Sequence, residues 1–191
     1  MEREVLMTGI GGQGIQLAAR VLAEGAVASG YEVLLFGSYG GMMRGGRTDT
    51  SLVIGDAPIE APPVVAAAWA AMVMHPDHAE PIWAKLRPEG IALVNSTVVD
   101  SYPDHSATVI EVPATDIAVD VGNIVTASMV LLGALAATTA IVALDALTSA
   151  VATSLPPYRR QLVDVNVAAL RAGHGLVTAA SHPAWATATA P

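Results

Sequence analysis

The chain has no cysteine in 191 residues. It therefore supplies neither a disulfide framework, nor a thiol nucleophile, nor thiolate ligands for an iron-sulfur cluster, so any cluster it works with belongs to another subunit. Positive charge is scarce as well: 9 Lys and Arg stand against 17 Asp and Glu, a net charge of −8. Affinity for DNA or RNA rests on phosphate neutralisation, and this balance argues against both. Charge of either sign is sparse, at 14% of residues against 53% hydrophobic. Such a surplus of apolar surface is usually buried against another chain, which predicts a subunit rather than a monomer. The first residues lack the basic segment and cleavage pattern of a secretory signal, since Glu2, Arg3 and Glu4 run straight into an apolar stretch, and the expectation is a cytoplasmic protein. One segment, Ile124 to Leu144, carries no charge and approaches bilayer length. Its Thr126, Ser128, Thr138 and Thr139, and its lack of flanking Lys, Arg or aromatic anchors, read instead as a buried helix over 123–137, a break at Thr138 and Thr139, and a second helix over 144–155.

The length suits one domain, assigned to 1–176, with a flexible or partner-docked tail over 177–191 where Ala, Thr, Ser and Pro take over around a lone Trp185. Strand signals fall at 4–8, 32–36, 48–54, 65–74, 91–95 and 107–112. The first helix, 15–29, ends at Gly30 as its left-handed cap, and a short helix follows His78 with Gly90 after it. A third helix takes Thr115 or Asp116 as N-cap, and the last, within "PPYRRQLVDVNVAALRAG", closes at Gly173. The pattern predicts an α/β fold: a Rossmann-like three-layer sandwich with a mostly parallel sheet. The first two strands are expected side by side, and an antiparallel strand or hairpin, exposed on one face, follows the second βα unit.

Gly9-x-Gly11-x-x-Gly14 sits between the first strand and the first helix, the context in which backbone N–H groups can face an anion. It reads equally as a tight turn whose glycines permit close packing. An NAD site adds a carboxylate at the end of the second strand, and Leu34 to Ser38 holds none. Gln13 could offer its amide to an anion or to a neighbouring subunit. The second loop, "GSYGGMMRGGRTD", carries five glycines with Arg44 and Arg47, and loops at the carboxyl ends of neighbouring strands converge on one crevice. Arg44 is the better ligand candidate, and Arg47 is read as a partner of Asp49 or Asp56.

"GIGGQGIQLAARVLAEGA", "GSYGGMMRGG" and "SLVIGDAPIEAP", in this order and spacing, resemble the gamma subunit or domain of the 2-oxoacid:ferredoxin oxidoreductases, which include pyruvate, 2-oxoglutarate and indolepyruvate oxidoreductases. "LRPEGIALVNST", "VPATDIAVDVGN", "MVLLGAL" and "VNVAALRAG" extend the resemblance over Val5 to Gly173. It implies a non-thiamine subunit, inactive alone and without catalytic residues, in a complex that oxidatively decarboxylates a 2-oxoacid, in many members to an acyl-CoA. Thiamine diphosphate and iron-sulfur clusters then lie in partner subunits, ferredoxin or a similar acceptor takes the electrons, and the glycine loops face the active-site partners or the path of CoA. Carried over by position, the implied site comprises Gly9, Gly11, Gly12, Gln13 and Gly14, then Ser38, Tyr39, Arg44, Gly45 and Gly46, then Asn95 and Ser96. The chain departs from the family at Gly41 and Met42, where Pro and an acidic residue are common, at Ile124 to Met129, which lack a basic residue and an Asn, and at Ala70 and Ala71. Those departures fit a divergent branch acting on an aryl or amino-acid-derived oxoacid.

The rival reading is a stand-alone Rossmann-like module that binds phosphate or nucleotide in a regulatory role. His75 and His78 in "HPDHAE" invite a metal, but no third ligand is spaced to complete a shell, and Asp77 reads as a helix cap. Ser38 lacks the strand-elbow-helix context of a hydrolase nucleophile, and Met42 with Met43 reads as a packing or interface surface.

Overall fold

The computed structural model describes residues 1–39, 46–60 and 64–185. The elements are β1 (Glu2–Ile10), α1 (Ile15–Ala28), β2 (Glu32–Tyr39), β3 (Arg47–Gly55), β4 (Ala68–Val73), α2 (Glu80–Trp83), β5 (Leu86–Asn95), β6 (Thr108–Val112), α3 (Ala114–Val121), α4 (Ala127–Thr139), α5 (Leu144–Ser154) and α6 (Val163–Leu176). Two short 3-10 turns, Ile124–Thr126 and Pro157–Leu162, precede α4 and α6. One sheet runs β2-β3-β1-β4-β5-β6, and β1, β4, β5 and β6 are parallel.

β3 is antiparallel to both its neighbours, pairing Thr8 with Asp49 on one side and Ser38 with Asp49 on the other. This is the expected antiparallel strand, but it lies between β1 and β2 rather than outside them, so those two strands are not adjacent. Hairpin pairing closes a shorter loop than a crossover does, and β2 followed by β3 takes that local option. Core layers cover both faces of its second half, where Leu52, Val53 and Ile54 are fully buried, which corrects the half-exposed reading there, while Arg47, Thr48, Asp49 and Ser51 are partly buried.

The layers are unequal. One face of the sheet carries α1, α3, α4, α5 and α6 over Val5, Met7, Leu52, Ile54, Met72 and Leu93. The other face, with Leu6, Val53, Ala71, Val73 and Val94, is covered by α2 and connecting segments through Ile82, Trp83 and Val99. All thirteen residues of α4 are buried, which accounts for the uncharged run. Among the described residues no helix is long and apolar enough to cross a membrane.

Several expected ends move. The break after α4 falls at Ala140, in the left-handed region at φ 50°, because Thr138 and Thr139 stay in the helix and Thr139 Oγ1 bonds back to Leu135 O at 2.6 Å. Gly90 lies inside β5, where a Cβ would stand 2.6 Å from Trp69 O. Gly173 lies inside α6 rather than ending it. A Cβ on Gly173 would come 1.9 Å from Val130 O, and one on Gly133 would come 1.9 Å from Leu170 O, so these two glycines let α4 and α6 cross backbone to backbone. Beyond α6 the chain lies on the end of α4: the N–H groups of Ala180, His182 and Ala184 bond Ala137, Thr138 and Thr139 carbonyls, and Trp185 stacks on Tyr31 at 4.7 Å.

Candidate functional site

The turn from β1 into α1 is built on two glycines in the left-handed region, Gly12 at φ 104° and Gly14 at φ 79°. A Cβ on Gly12 would meet nothing within 4 Å, whereas one on Gly14 would come 2.6 Å from Ser128 Oγ and 3.2 Å from Val125 O. Gly12 is thus required by backbone angle, and Gly14 by both angle and close approach. No side chain caps the start of α1, so the first-turn N–H groups have no side-chain partner there. The missing side chain of Gly9 leaves room for Gln13, whose Oε1 accepts from Ile10 N at 2.9 Å and whose Nε2 donates to Met74 O at 3.4 Å. Gln13 therefore braces the loop from within.

The second loop meets the first. Gly11 N donates to Gly46 O at 2.8 Å, and the register Ile10 to Arg47 places the end of that loop beside the end of β1. Arg47 pairs with Asp49, which also accepts from Thr8 Oγ1 at 2.7 Å, while Asp56 pairs with the amino terminus. The backbone of Ser38 and Tyr39 lies at the end of β2, opposite Asp49 and Thr48. Arg44 and Gly45, with Gly41, Met42 and Met43, lie outside the described residues.

Asn95 and Ser96 take another course. Asn95 is fully buried: Nδ2 donates to Thr115 Oγ1 at 2.8 Å and Met74 O at 3.4 Å, and Oδ1 accepts from Thr115 N at 3.2 Å. It thereby satisfies a first-turn N–H of α3, whose N-cap is Pro113 with no cap bond of its own. That corrects the assignment of Thr115 or Asp116 as N-cap. Met74 O, shared by Gln13 and Asn95, ties the ends of β1, β4 and β5 together. Ser96 N bonds Val112 O, and neither Asn95 nor Ser96 lines the cleft described next.

A cleft of about 650 Å³ opens beside the glycine loop. Gly11, Gly12, Gly14 and Arg20 form one side, Leu35 and Thr48 a second, and Ser154, Leu155, Tyr158 and Arg159 a third. Its described lining holds two guanidinium groups, Arg20 and Arg159, and no carboxylate. Neither arginine has an ion-pair partner among the described residues, and Arg159 lies over the Tyr158 ring at 5.6 Å. Ser154 is 2% exposed and its hydroxyl has no hydrogen-bond partner. Sequence reasoning missed this third side. The available signal was the exposed "YRR" after two prolines, which a helical pattern absorbs into the last helix.

Around His75, Nδ1 accepts from Asp77 N at 3.2 Å, and α2 takes Ala79 as its N-cap, not Asp77. Among the described residues no cluster of three or more His, Asp or Glu has a metal-holding arrangement.

A family model described as pyruvate ferredoxin/flavodoxin oxidoreductase matches residues 4–176. The 2-oxoglutarate synthase subunit KorC of Methanothermobacter marburgensis is 30% identical over 185 residues, spanning 93% of this chain and 97% of that protein. Among solved structures, the gamma subunit of a keto/oxoacid ferredoxin oxidoreductase from Geobacter sulfurreducens superposes with a TM-score of 0.77 at 28% identity, over 91% of this chain and 96% of its own. The fold alone is shared with 2-oxoglutarate:ferredoxin oxidoreductase from Magnetococcus marinus, solved with 2-oxoglutarate, coenzyme A and succinyl-CoA bound: TM-score 0.80, 17% identity, 93% of this chain and 32% of that longer one. These matches do not favour a stand-alone nucleotide module.

Proposed function

The chain belongs to the pyruvate ferredoxin/flavodoxin oxidoreductase family as a gamma-type subunit, and from that premise we propose that its joined glycine loops form the face it turns to the other subunits of a 2-oxoacid:acceptor oxidoreductase. The observation that supports this reading is the Gly11 to Gly46 hydrogen bond, which ties the described end of the second loop to the first. In this reading Gly11, Gly12, Gly14 and Gly46 present backbone to the partner side, Gly9 and Gln13 hold the first loop in shape, and Ser38, Tyr39, Arg44 and Gly45 belong to the second. Asn95 and Ser96 set the neighbouring end of α3. The domain runs over 1–176, with 177–191 as its tail.

In this reading thiamine diphosphate and iron-sulfur clusters would be held by partner subunits, where they would supply the decarboxylation chemistry and the route for electrons to ferredoxin or a similar acceptor, with CoA as a candidate acyl acceptor. The donor set fits that division: a chain without cysteine has no thiolates for a cluster. Its described residues supply backbone donors, a brace and two cations without an ion-pair partner among those residues, so this chain positions groups rather than breaking bonds. The complex, not the isolated chain, is the active species, and a soluble, cytoplasmic assembly suits the reading.

The test is co-expression with the neighbouring oxidoreductase subunits, followed by size exclusion and 2-oxoacid-dependent reduction of a low-potential viologen. Co-elution, with activity lost when this chain is omitted, is expected. A chain that elutes alone beside a fully active remainder overturns the reading.

A further inference from the structure

The sheet has two edges, and they are finished differently. At one end β6 is five residues long and carries Glu111, whose carboxylate accepts from the Tyr102 hydroxyl at 3.0 Å. At the other end β2 runs eight residues and is paired on its inner side only, to β3, with no register shift. We infer that the outer edge of β2 pairs with β2 of a second copy of this chain, antiparallel about a two-fold axis at Leu35, so that two six-stranded sheets join into one. The inference goes beyond the gamma-subunit reading, which assigns nothing to this edge.

Three observations carry it. First, the strand is unguarded. A free strand edge is a row of unpaired N–H and C=O groups, and proteins that stay monomeric blunt it with lysine, proline, a bulge or a covering element. β2 contains no Lys, Arg or Pro and no bulge, and among the described residues no backbone bond reaches its outer side. It is also longer than the usual strand of about 5–6 residues. Second, the edge is apolar on both faces. Val33 packs toward the helical layer and Leu34 toward the thinner one, so alternation sends Leu35 to the first face and Phe36 to the second. Leu35 is 40% exposed and Phe36 is 38% exposed, so each face has apolar surface left to cover. Third, charge permits a second copy here. A chain of net charge −8 repels its own copy over most approaches, but β2 carries a single carboxylate, Glu32, at its first position.

The same residues select the register. A two-fold axis perpendicular to the sheet keeps each face on its own side, so only residues of the same face meet. With Leu35 opposite Leu35 of the second copy, Leu34 meets Phe36 and Phe36 meets Leu34, an aliphatic–aromatic pair that symmetry repeats. Moving the axis one residue on to Phe36 sets Leu35 against Gly37 and Leu34 against Ser38, and the apolar pairs are lost. In the Leu35 register Glu32 lies opposite Ser38 of the second copy. The two Glu32 positions then stand six residues apart along the seam, about 20 Å, beyond two Debye lengths of about 8 Å at physiological salt. The seam therefore closes without apposing like charges. Antiparallel pairing also points the carboxyl ends of the two β2 strands in opposite directions. The two glycine rims, which lie at those ends, stay apart and open to other subunits.

The experiment is sedimentation equilibrium on the full chain over a wide range of concentration, beside Phe36→Lys and a Val119→Lys control. Wild type is expected at twice the chain mass. Phe36→Lys should weaken association at least about tenfold, because it sets an ammonium against Leu34 of the second copy. Val119→Lys, at an exposed position on α3 away from this edge, should leave association unchanged. Since the chain has no cysteine, Leu35→Cys introduces a single thiol, which oxidation should link to its own copy. Val33→Cys should stay unlinked, because its two thiols stand about 13 Å apart along the seam. The crosslink reads the seam even where Phe36→Lys unfolds the chain. A monomer at every concentration, Phe36→Lys associating like wild type, or equal linking at positions 33 and 35 overturns the inference. A full chain that stays monomeric while a chain ending at Trp185 dimerises also overturns it, and assigns the edge to the residues that follow Trp185, which stacks on Tyr31 just before β2. Leu35→Cys that links only to a different subunit in the assembled complex overturns it in that subunit's favour. A dimer that assembles with no oxidoreductase subunit keeps the seam and removes the gamma-subunit reading.

Discussion

Gly173→Ala isolates the contact on which the helical layer depends. The new Cβ would stand 1.9 Å from Val130 O, 2.7 Å from Val130 C and 2.9 Å from Val130 Cα. A comfortable carbon-oxygen approach begins near ~3.3 Å, so α4 and α6 must separate locally by roughly 1.4 Å. A gap of ~0.5–1 Å already forfeits about a quarter to a half of each dispersion contact along the seam. Overpacking of this kind costs about 1–3 kcal/mol, and here the obstruction is backbone that cannot rotate away. Ala is intrinsically the better helix former by about 1 kcal/mol, which offsets part of the loss. The net expectation is a destabilisation of about 2 kcal/mol, or about 4–8 °C in Tm for a chain of this size. Gly175→Ala is the control, since it lies two residues on in the same helix and its Cβ would meet nothing within 4 Å. It should be neutral or stabilising by about 0.5 kcal/mol. Thermal melts by circular dichroism on the isolated chain and its two variants measure both. A Gly173→Ala chain as stable as wild type would refute the crossing geometry.

Other expectations concern the site and its supports. Asn95→Ala should cost about 1–3 kcal/mol, because it strips the Thr115 N–H at the start of α3 and the Thr115 hydroxyl of their Asn95 partner inside the fold, and denaturant melts read the loss directly. Ser154→Ala in the ligand-free chain should be neutral or stabilising by up to about 1 kcal/mol, since the hydroxyl has no partner to lose; a larger loss in the same melts contradicts that. The Tyr102 hydroxyl donates to Glu111 at 3.0 Å, and this hydrogen bond, with burial second, holds its pKa above the usual tyrosine value. Its contribution is therefore complete below the ordinary tyrosine pKa and lost as pH rises through the raised one. Spectrophotometric titration should show one late tyrosine that moves earlier in Glu111→Gln. Arg44→Ala in the assembled complex should lower turnover while leaving assembly intact, and unchanged kinetics together with unchanged assembly remove the second loop from the site.

Local chemistry was legible in the sequence wherever one residue type fixes one backbone state. The glycines of the first loop and Gly30 announce left-handed positions, and all but Gly9 and Gly11 among them have positive φ. The uncharged run over α4 reads correctly as a buried helix because its polar residues are small hydroxyls without charge, of which Thr139 bonds back to Leu135 O while Ser128 and Thr138 are buried without a partner. Pairing partners were not legible, since alternation marks a strand without naming its neighbour, and β3 entered between β1 and β2 unseen. Gly173 misled for a related reason: a glycine near a helix end serves a cap and a close crossing equally well, and only the α4 seam decides between them. The α3 cap was hidden because its donor, Asn95, lies about twenty residues upstream on another element. The third side of the cleft likewise brings residues 154–159 against a loop at 11–14, a proximity that no local pattern contains.

Stepwise return of this chain to a complex depleted of it, with viologen reduction followed at saturating 2-oxoacid, tests the central claim most directly. The rate should climb with added wild-type chain to a plateau, and Gly12→Ala chain, strained at φ 104° but uncrowded, should bind the complex and restore clearly less. Full turnover in the depleted complex, or full restoration by the Gly12→Ala chain, would contradict the claim that this rim serves the reaction.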